Sequence, residues 1–187
     1  MSNFENQKRQ QFISAAEGYL DLATALDDRW PLDESLKQAL ARRASKSLSN
    51  IDQPLGHRSY VLFLQGQCRL IQKKYHSAIA FLLQSAQFDP EFIHSHLALA
   101  WCYKRVDQLD LAIDEMKTAV ELDPESAISH YNLSCYCALD HQVNLSLIHL
   151  SFALDLDPEF RSKVDSEPDF DSIRDNPRFI SLVTVTV

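Results

Sequence analysis

Apolar residues recur every three or four positions through most of this chain, and the periodic stretches are separated by short polar or proline-marked breaks. Residues 5–28 place Phe12, Ala16, Tyr19, Ala23 and Leu26 on one helical face. Trp30-Pro31 ends that run, because a residue before proline is pushed out of the helical region. Asp33 is positioned to cap a second helix over 34–49, with Leu36, Leu40, Ala44 and Leu48 as its stripe, and 51–56 makes the next turn. The same reading predicts helices over 58–73, 75–88, 92–106, 109–122, 126–140 and 143–156.

The breaks themselves are periodic. Phe88-Asp89-Pro90-Glu91, Leu122-Asp123-Pro124-Glu125 and Leu156-Asp157-Pro158-Glu159 are one step written three times, with 34 residues between successive prolines. A fixed period of that size marks a stacked-repeat architecture, in which each unit buries its apolar face on its neighbours. Three units follow, at about 59–92, 93–126 and 127–160. Residues 1–56 read as a degenerate hairpin without the Asp-Pro step, and 159–187 as a C-terminal cap and tail. Asn176-Pro177 opens a short cap helix near 177–183, and Phe160, Val164, Phe170, Ile173, Phe179 and Ile180 supply apolar cover for the last unit. The β-branched stretch 183–187 is either a frayed end or a strand for a partner's sheet edge.

In phase with this period, the chain resembles the tetratricopeptide repeat family. In the middle unit Leu99, Ala100 and Tyr103 fill the family's first-helix slots, Ala112, Met116 and Ala119 those of the second helix, and Pro124 the close. His96 stands where the family often has Trp. The preceding unit matches at Leu62, Gly66, Ala78, Leu82 and Pro90, departs at Gln65 and Arg69, and has Ser85 for Ala. The third matches at Leu133, Ser134, Leu150, Ala153 and Pro158, with Cys137 for Tyr and Ser146 for Ala. Small residues are needed at these slots because helix axes only about 8–10 Å apart leave no room for long side chains. The run from Pro168 to Phe179 is similar to the cap that closes many bacterial repeat proteins.

The resemblance implies an all-α fold, a right-handed solenoid of antiparallel helix pairs whose concave wall is lined by first helices. The residues it puts on that wall are Tyr60, Phe63, Gln67 and Leu70, then His94, Leu97, Trp101, Lys104 and Arg105, then Ile128, Tyr131 and Cys135. Such a wall suits a peptide or helix of a partner protein, with Trp101 and Tyr131 as aromatic anchors. The open alternative is a wall filled by the chain's own N-terminal helix or C-terminal tail. Chaperone-binding members of the family use a Lys-Asn-Arg clamp, and Phe63, Gln67, Ala98, Ile128 and Asn132 occupy those places, which disfavours that ligand.

Charge and composition narrow the partner class. Residues 1–106 carry a net +3 and 107–187 a net −11. The opposed halves raise the alternative of a self-associating homo-oligomer, while the acidic total disfavours nucleic acid. With Gly only 3, no phosphate-cradling loop is written, so no nucleotide cofactor is expected. Cys135 and Cys137, like His94 and His96, are two apart and fall on different helix faces, so no metal site is read from them. Asp165, Glu167, Asp169 and Asp171 begin like a calcium loop, but Phe170 replaces the glycine and Asn176 the closing Glu. No nucleophile–base spacing is recognisable, so a non-catalytic scaffold is expected. The start shows no basic-then-apolar leader, and no membrane span is expected, which makes a cytoplasmic setting the default.

Overall fold

The computed structural model describes residues 3–24, 32–51 and 58–184, and every regular element within them is a helix. The fold is all-α. Leu26, Trp30-Pro31 and all but Ile51 of the turn at 51–56 lie outside the described residues, as do 185–187, whereas Val183 and Thr184 form the last turn of a helix instead of a strand. The chain divides into two compact units, Met1–Cys102 and Tyr103–Val187.

Unit 1 holds α1 (Asn3–Thr24), α2 (Glu34–Ser49), α3 (Arg58–Ile71), α4 (Tyr75–Phe88) and most of α5 (Ile93–Arg105). Asp33 caps α2 as its sequence predicts, its carboxylate accepting the Ser35 N–H at 2.8 Å. The buried faces of α1 and α2 are rotated slightly from the expected stripes. Ile13, Ala16, Leu20 and Ala23 are buried in α1 while Phe12 and Tyr19 are only half-buried, and Leu36 of α2 is exposed. The α1–α2, α2–α3 and α3–α4 pairs each pack closely.

Unit 2 holds the end of α5, then α6 (Leu109–Leu122), α7 (Ala127–Leu139) and α8 (Val143–Leu156). It continues through a 3-10 turn Pro158–Phe160, α9 (Arg161–Val164), a 3-10 helix Pro168–Ile173 and α10 (Pro177–Thr184). The 3-10 helix packs on α7, and the turn at Pro158 and α10 pack on α8. Asn176 caps α10 as expected, accepting from the N–H groups of Arg178 and Phe179 at 2.9 and 3.4 Å. Phe160, Val164, Phe170, Ile173 and Phe179 are buried, but Ile180 is exposed.

The period is legible atom by atom. Ala78, Leu82 and Ser85 of α4, Ala112, Met116 and Ala119 of α6, and Ser146, Leu150 and Ala153 of α8 are all wholly buried. Asp89, Asp123 and Asp157 end these helices, each N–H donating to a carbonyl four residues back. Pro90 and Pro124 then sit in a turn ahead of α5 and α7, where the carbonyls of Asp89 and Asp123 accept from the Phe92 and Ser126 N–H groups.

Each first-to-second helix turn holds one left-handed residue, Lys73, Asp107 and His141, again 34 apart. The N–H groups of Lys74, Gln108 and Gln142 reach back five residues to Arg69, Tyr103 and Cys137, which closes a Schellman motif without glycine.

Three departures from the family pattern find physical reasons. Ser85 Oγ donates to the Ser59 carbonyl at 2.8 Å and lies 2.7 Å from Ser95 Oγ, so a hydroxyl replaces Ala by tying three helices of unit 1 together. Ser146 Oγ, the second such replacement, lies 3.3 Å from Ser134 Oγ, which also donates to the Ser146 carbonyl at 2.8 Å within the α7–α8 pair. The histidines in the Trp slot each reach the repeat-closing proline: His96 Nε2 lies 2.9 Å from the Pro90 carbonyl and His130 Nε2 lies 3.0 Å from that of Pro124. A carbonyl only accepts, so Nε2 is the protonated nitrogen in both rings.

His130 Nδ1 is then an acceptor, and His149 Nδ1–H donates to it across 3.0 Å. Burial, and second the neighbouring His130, hold His149 below its ordinary pKa of 6.5. A depressed histidine favours the neutral fold, so its contribution is complete above about pH 6.5 and is lost as the pH falls toward the folded value. Unit 2 should therefore melt lower at about pH 5.5 than at about pH 7.5 by circular dichroism, and His149→Gln should flatten that difference. An equally steep variant would assign the dependence elsewhere.

Candidate functional site

The expected wall residues divide between the two units, and their surroundings differ. In unit 1, Tyr60 and Phe63 are one helical turn apart on α3, with stacked rings 6.2 Å between centroids. Phe92, just ahead of α5, meets both edge-on at 6.1 and 5.1 Å, and the His94 ring lies 5.3 Å from Phe92. The sequence reading missed Phe92, although its place immediately before the Trp101-bearing helix was the available signal.

Phe63 is the buried centre of this four-ring cluster. Tyr60, Phe92, Gln67, Leu70 and Leu97 are half-buried, and His94 is exposed. Trp101, half-buried one residue short of the end of unit 1, meets the Tyr75 ring edge-on at 5.6 Å. Tyr60 donates to Glu17 Oε1 of α1 at 2.7 Å, so the N-terminal hairpin touches one margin of the cluster. Burial, and then the Glu17 carboxylate, push the Tyr60 phenol up to about 12. The tyrosine therefore remains a neutral hydrogen-bond donor at physiological pH.

In unit 2 the chain covers its own wall. Tyr131 is 5% exposed, with Phe160 tilted over it at 4.7 Å and Phe170 edge-on at 5.9 Å. Cys135, one turn further along α7, is 2% exposed. Lys104 forms an ion pair with Asp169 and lies 5.2 Å over the Tyr136 ring. Tyr131 and Cys135 are thus core residues of a capped repeat here, and of the expected unit 2 wall only Arg105 and Ile128 are exposed. The physical reason is the cap: the 3-10 helix Pro168–Ile173 is laid on α7 with Ser172 Oγ donating to the Ala138 carbonyl at 3.0 Å. The Arg174 guanidinium stiffens the cap by donating to the Glu167 carbonyl at 2.7 Å and to the Asp171 carboxylate at 2.8 Å.

Four thiols are free and buried. Burial pushes Cys68 and Cys102 up to about 12 and Cys137 up to about 11, so none of the three is a thiolate nucleophile at neutral pH. The calcium-like run is used otherwise: Glu167 caps the 3-10 helix by accepting from the Asp169 N–H, and Asp171 pairs with Arg174. Among the described residues, one trio of potential metal ligands converges, Cys135 with Glu167 and Asp169.

The tetratricopeptide repeat family profile matches residues 93–126, the unit that copies the pattern most fully. Residues 93–126 are a tetratricopeptide repeat. No curated protein matches the chain in sequence. Solved tetratricopeptide structures share its fold. MamA MSR-1 aligns over 84% of this chain and 99% of its own at 20% identity, with a TM-score of 0.58. MamA from Desulfovibrio magneticus RS-1 aligns over 90% of this chain and 93% of its own at 16% identity, TM-score 0.61. YrrB, a tetratricopeptide protein with an unusual peptide-binding site, covers 82% of this chain and 74% of its own at 15% identity, TM-score 0.57. Among the described residues, no helix is long and apolar enough to cross a membrane.

Proposed function

We propose that this chain is a non-catalytic protein-interaction scaffold that takes a peptide or helix of a partner on the aromatic face of unit 1. The observation that carries the reading is the contrast between the two units. The ring cluster of Tyr60, Phe63, Phe92 and His94 keeps an accessible margin, whereas the equivalent wall of α7 is already covered by the cap. Aromatic side chains lose little conformational entropy on binding and bury large areas, so they dominate interface energies. Trp101, its ring edge-on to Tyr75 of α4, adds a second aromatic anchor. YrrB, of the same fold, is itself a peptide-binding protein.

Peptide-display selection on the intact chain, followed by titration of the selected peptides, tests this. His94→Ala and Trp101→Ala should each weaken binding by about 2–4 kcal/mol, roughly 30- to 1,000-fold, while Tyr131→Phe should leave it within about twofold. Selected peptides that bind both alanine variants as tightly as the parent would overturn it.

A second reading, self-association, is favoured by one observation. Leu145, Ile148, Phe152 and Leu156 recur along α8 and are all exposed, Phe152 by 51%. Light scattering across a salt series separates the sources of any dimer. Attraction between the oppositely charged halves weakens as screening shortens to about 3 Å at 1 M, whereas an apolar stripe holds. A monomer at all salt concentrations removes this reading.

A further inference from the structure

The cap does more to unit 2 than cover an apolar wall, because it carries two carboxylates into the neighbourhood of a buried thiol. One ligand atom each from Cys135, Glu167 and Asp169 lies within 4.8 Å of the others. Two of these residues are on the far side of a long sequence gap from the first, which is why no spacing rule could join them. The Tyr131 hydroxyl faces the same three groups. It is buried, on a side chain 5% exposed, and makes no hydrogen bond of normal geometry. Buried hydroxyls almost always have a partner, so an orphan aimed into a cluster of potential ligands points to something that belongs between them.

Charge balance points the same way. Among the described residues, Lys104 is ion-paired with Asp169, so the two carboxylates of the trio are set against one paired ammonium beside a buried thiol. A divalent cation bound with Cys135 ionised brings the set to neutrality, the thiol proton leaving to solvent. The ligand types select among cations: one thiolate with two carboxylates suits a borderline ion of the zinc class better than magnesium or calcium, which take oxygen alone. Bonds of about 2.3 Å to sulfur and about 2.1 Å to oxygen put two tetrahedral ligands about 3.6 Å apart. The trio therefore has to close by no more than side-chain rotation supplies.

We propose that Cys135, Glu167 and Asp169 form a binding site for a thiophilic divalent cation of the zinc class, with the Tyr131 hydroxyl facing its fourth position. The site fastens the cap to α7. It makes closure of unit 2 responsive to metal, and it competes with Lys104 for Asp169.

Cobalt(II) titration of the reduced, chelator-treated full chain is the test, because a thiolate-bound cobalt ion shows a near-ultraviolet charge-transfer band that carboxylates alone do not give. The expected result is such a band saturating at about one ion per chain, displaced by zinc. It is retained in Cys137→Ser and lost in Cys135→Ser. A second variant removes any dependence on the fold of Cys135→Ser. Lys104→Gln deletes the competing cation and should bind cobalt on the order of tenfold more tightly, since a unit charge a few ångströms away is worth that or more at a partly buried site. Absence of the band in the parent chain overturns the proposal. So does its persistence in Cys135→Ser, or an unchanged or weakened affinity in Lys104→Gln.

Discussion

Phe170→Ala is expected to cost unit 2 about 3–5 kcal/mol, the range for emptying a fully buried aromatic site. Phe170 is wholly buried, edge-on to Tyr131 at 5.9 Å and tilted against Phe179 at 5.5 Å, so the loss falls on α7, the 3-10 helix and α10 together. These neighbours are aromatic and rigid, which limits how far the cavity can collapse and puts the cost toward the upper end. Hydrogen exchange read by mass spectrometry localises the effect. Protection should fall across 127–139 and 158–184 while 58–88 is little changed. The Cys135 thiol, at 2% exposure in the parent, should become open to alkylation. Ile180→Ala is the control, because an exposed side chain of similar size should move stability by no more than about 0.5 kcal/mol. Equal losses from the two variants would show that the cap is not held by Phe170.

Gly66→Val is the corresponding prediction for unit 1. A Cβ placed on Gly66 would lie 2.7 Å from both Cγ and Cδ2 of Leu82, a separation real Cβ atoms essentially never show. Leu82 is a wholly buried residue of α4, so the valine and the leucine compete for one place in the core. The substitution should therefore cost about 2–3 kcal/mol in urea unfolding, overpacking outweighing the roughly 0.3–0.5 kcal/mol by which valine is the better helix former. The pair gives a sharper test than the single variant. Leu82→Ala alone should cost about 2–5 kcal/mol by leaving a cavity, and the valine at 66 should fill part of it. The double variant is then less destabilised than the sum of the singles by 1 kcal/mol or more, on the order expected for contacting residues. Strict additivity would mean that α3 and α4 do not meet at these two positions.

How much of this was legible beforehand differs from residue to residue. Ala78, Leu82 and Ser85, and their counterparts in α6 and α8, were readable as packing positions, since a helix brings residues three and four apart to one face wherever it lies. The serines at 85 and 146 looked like departures from the pattern. The Ser85 hydroxyl donates to the Ser59 carbonyl and that of Ser146 lies 3.3 Å from the Ser134 hydroxyl, contacts within the stack that a residue type alone does not announce. The left-handed turns at Lys73, Asp107 and His141 were hidden because the usual marker, glycine, is absent from all three. Phe12, Tyr19 and Leu36 were placed on buried stripes they only partly occupy or miss, because a stripe's centre is fixed by the partner helix and not by the periodicity that reveals the stripe.

The wall residues show the same division. Tyr60, Phe63, His94 and Trp101 are marked by their positions along first helices; the structure gathers the first three around Phe92 and sets Trp101 against Tyr75. Tyr131 and Cys135 were nominated by the same rule and lie beneath the cap. Lys104 meets an acid 65 residues away. Sequence by itself determined the helices, their 34-residue period and the small residues that let neighbours approach, because each depends on spacing along one helix. Only the tertiary structure decided which wall stays open and which carboxylates meet the buried thiol. The cap's hydrophobic faces choose their seat by burying area against whatever wall lies within reach, and that choice leaves no period in the chain.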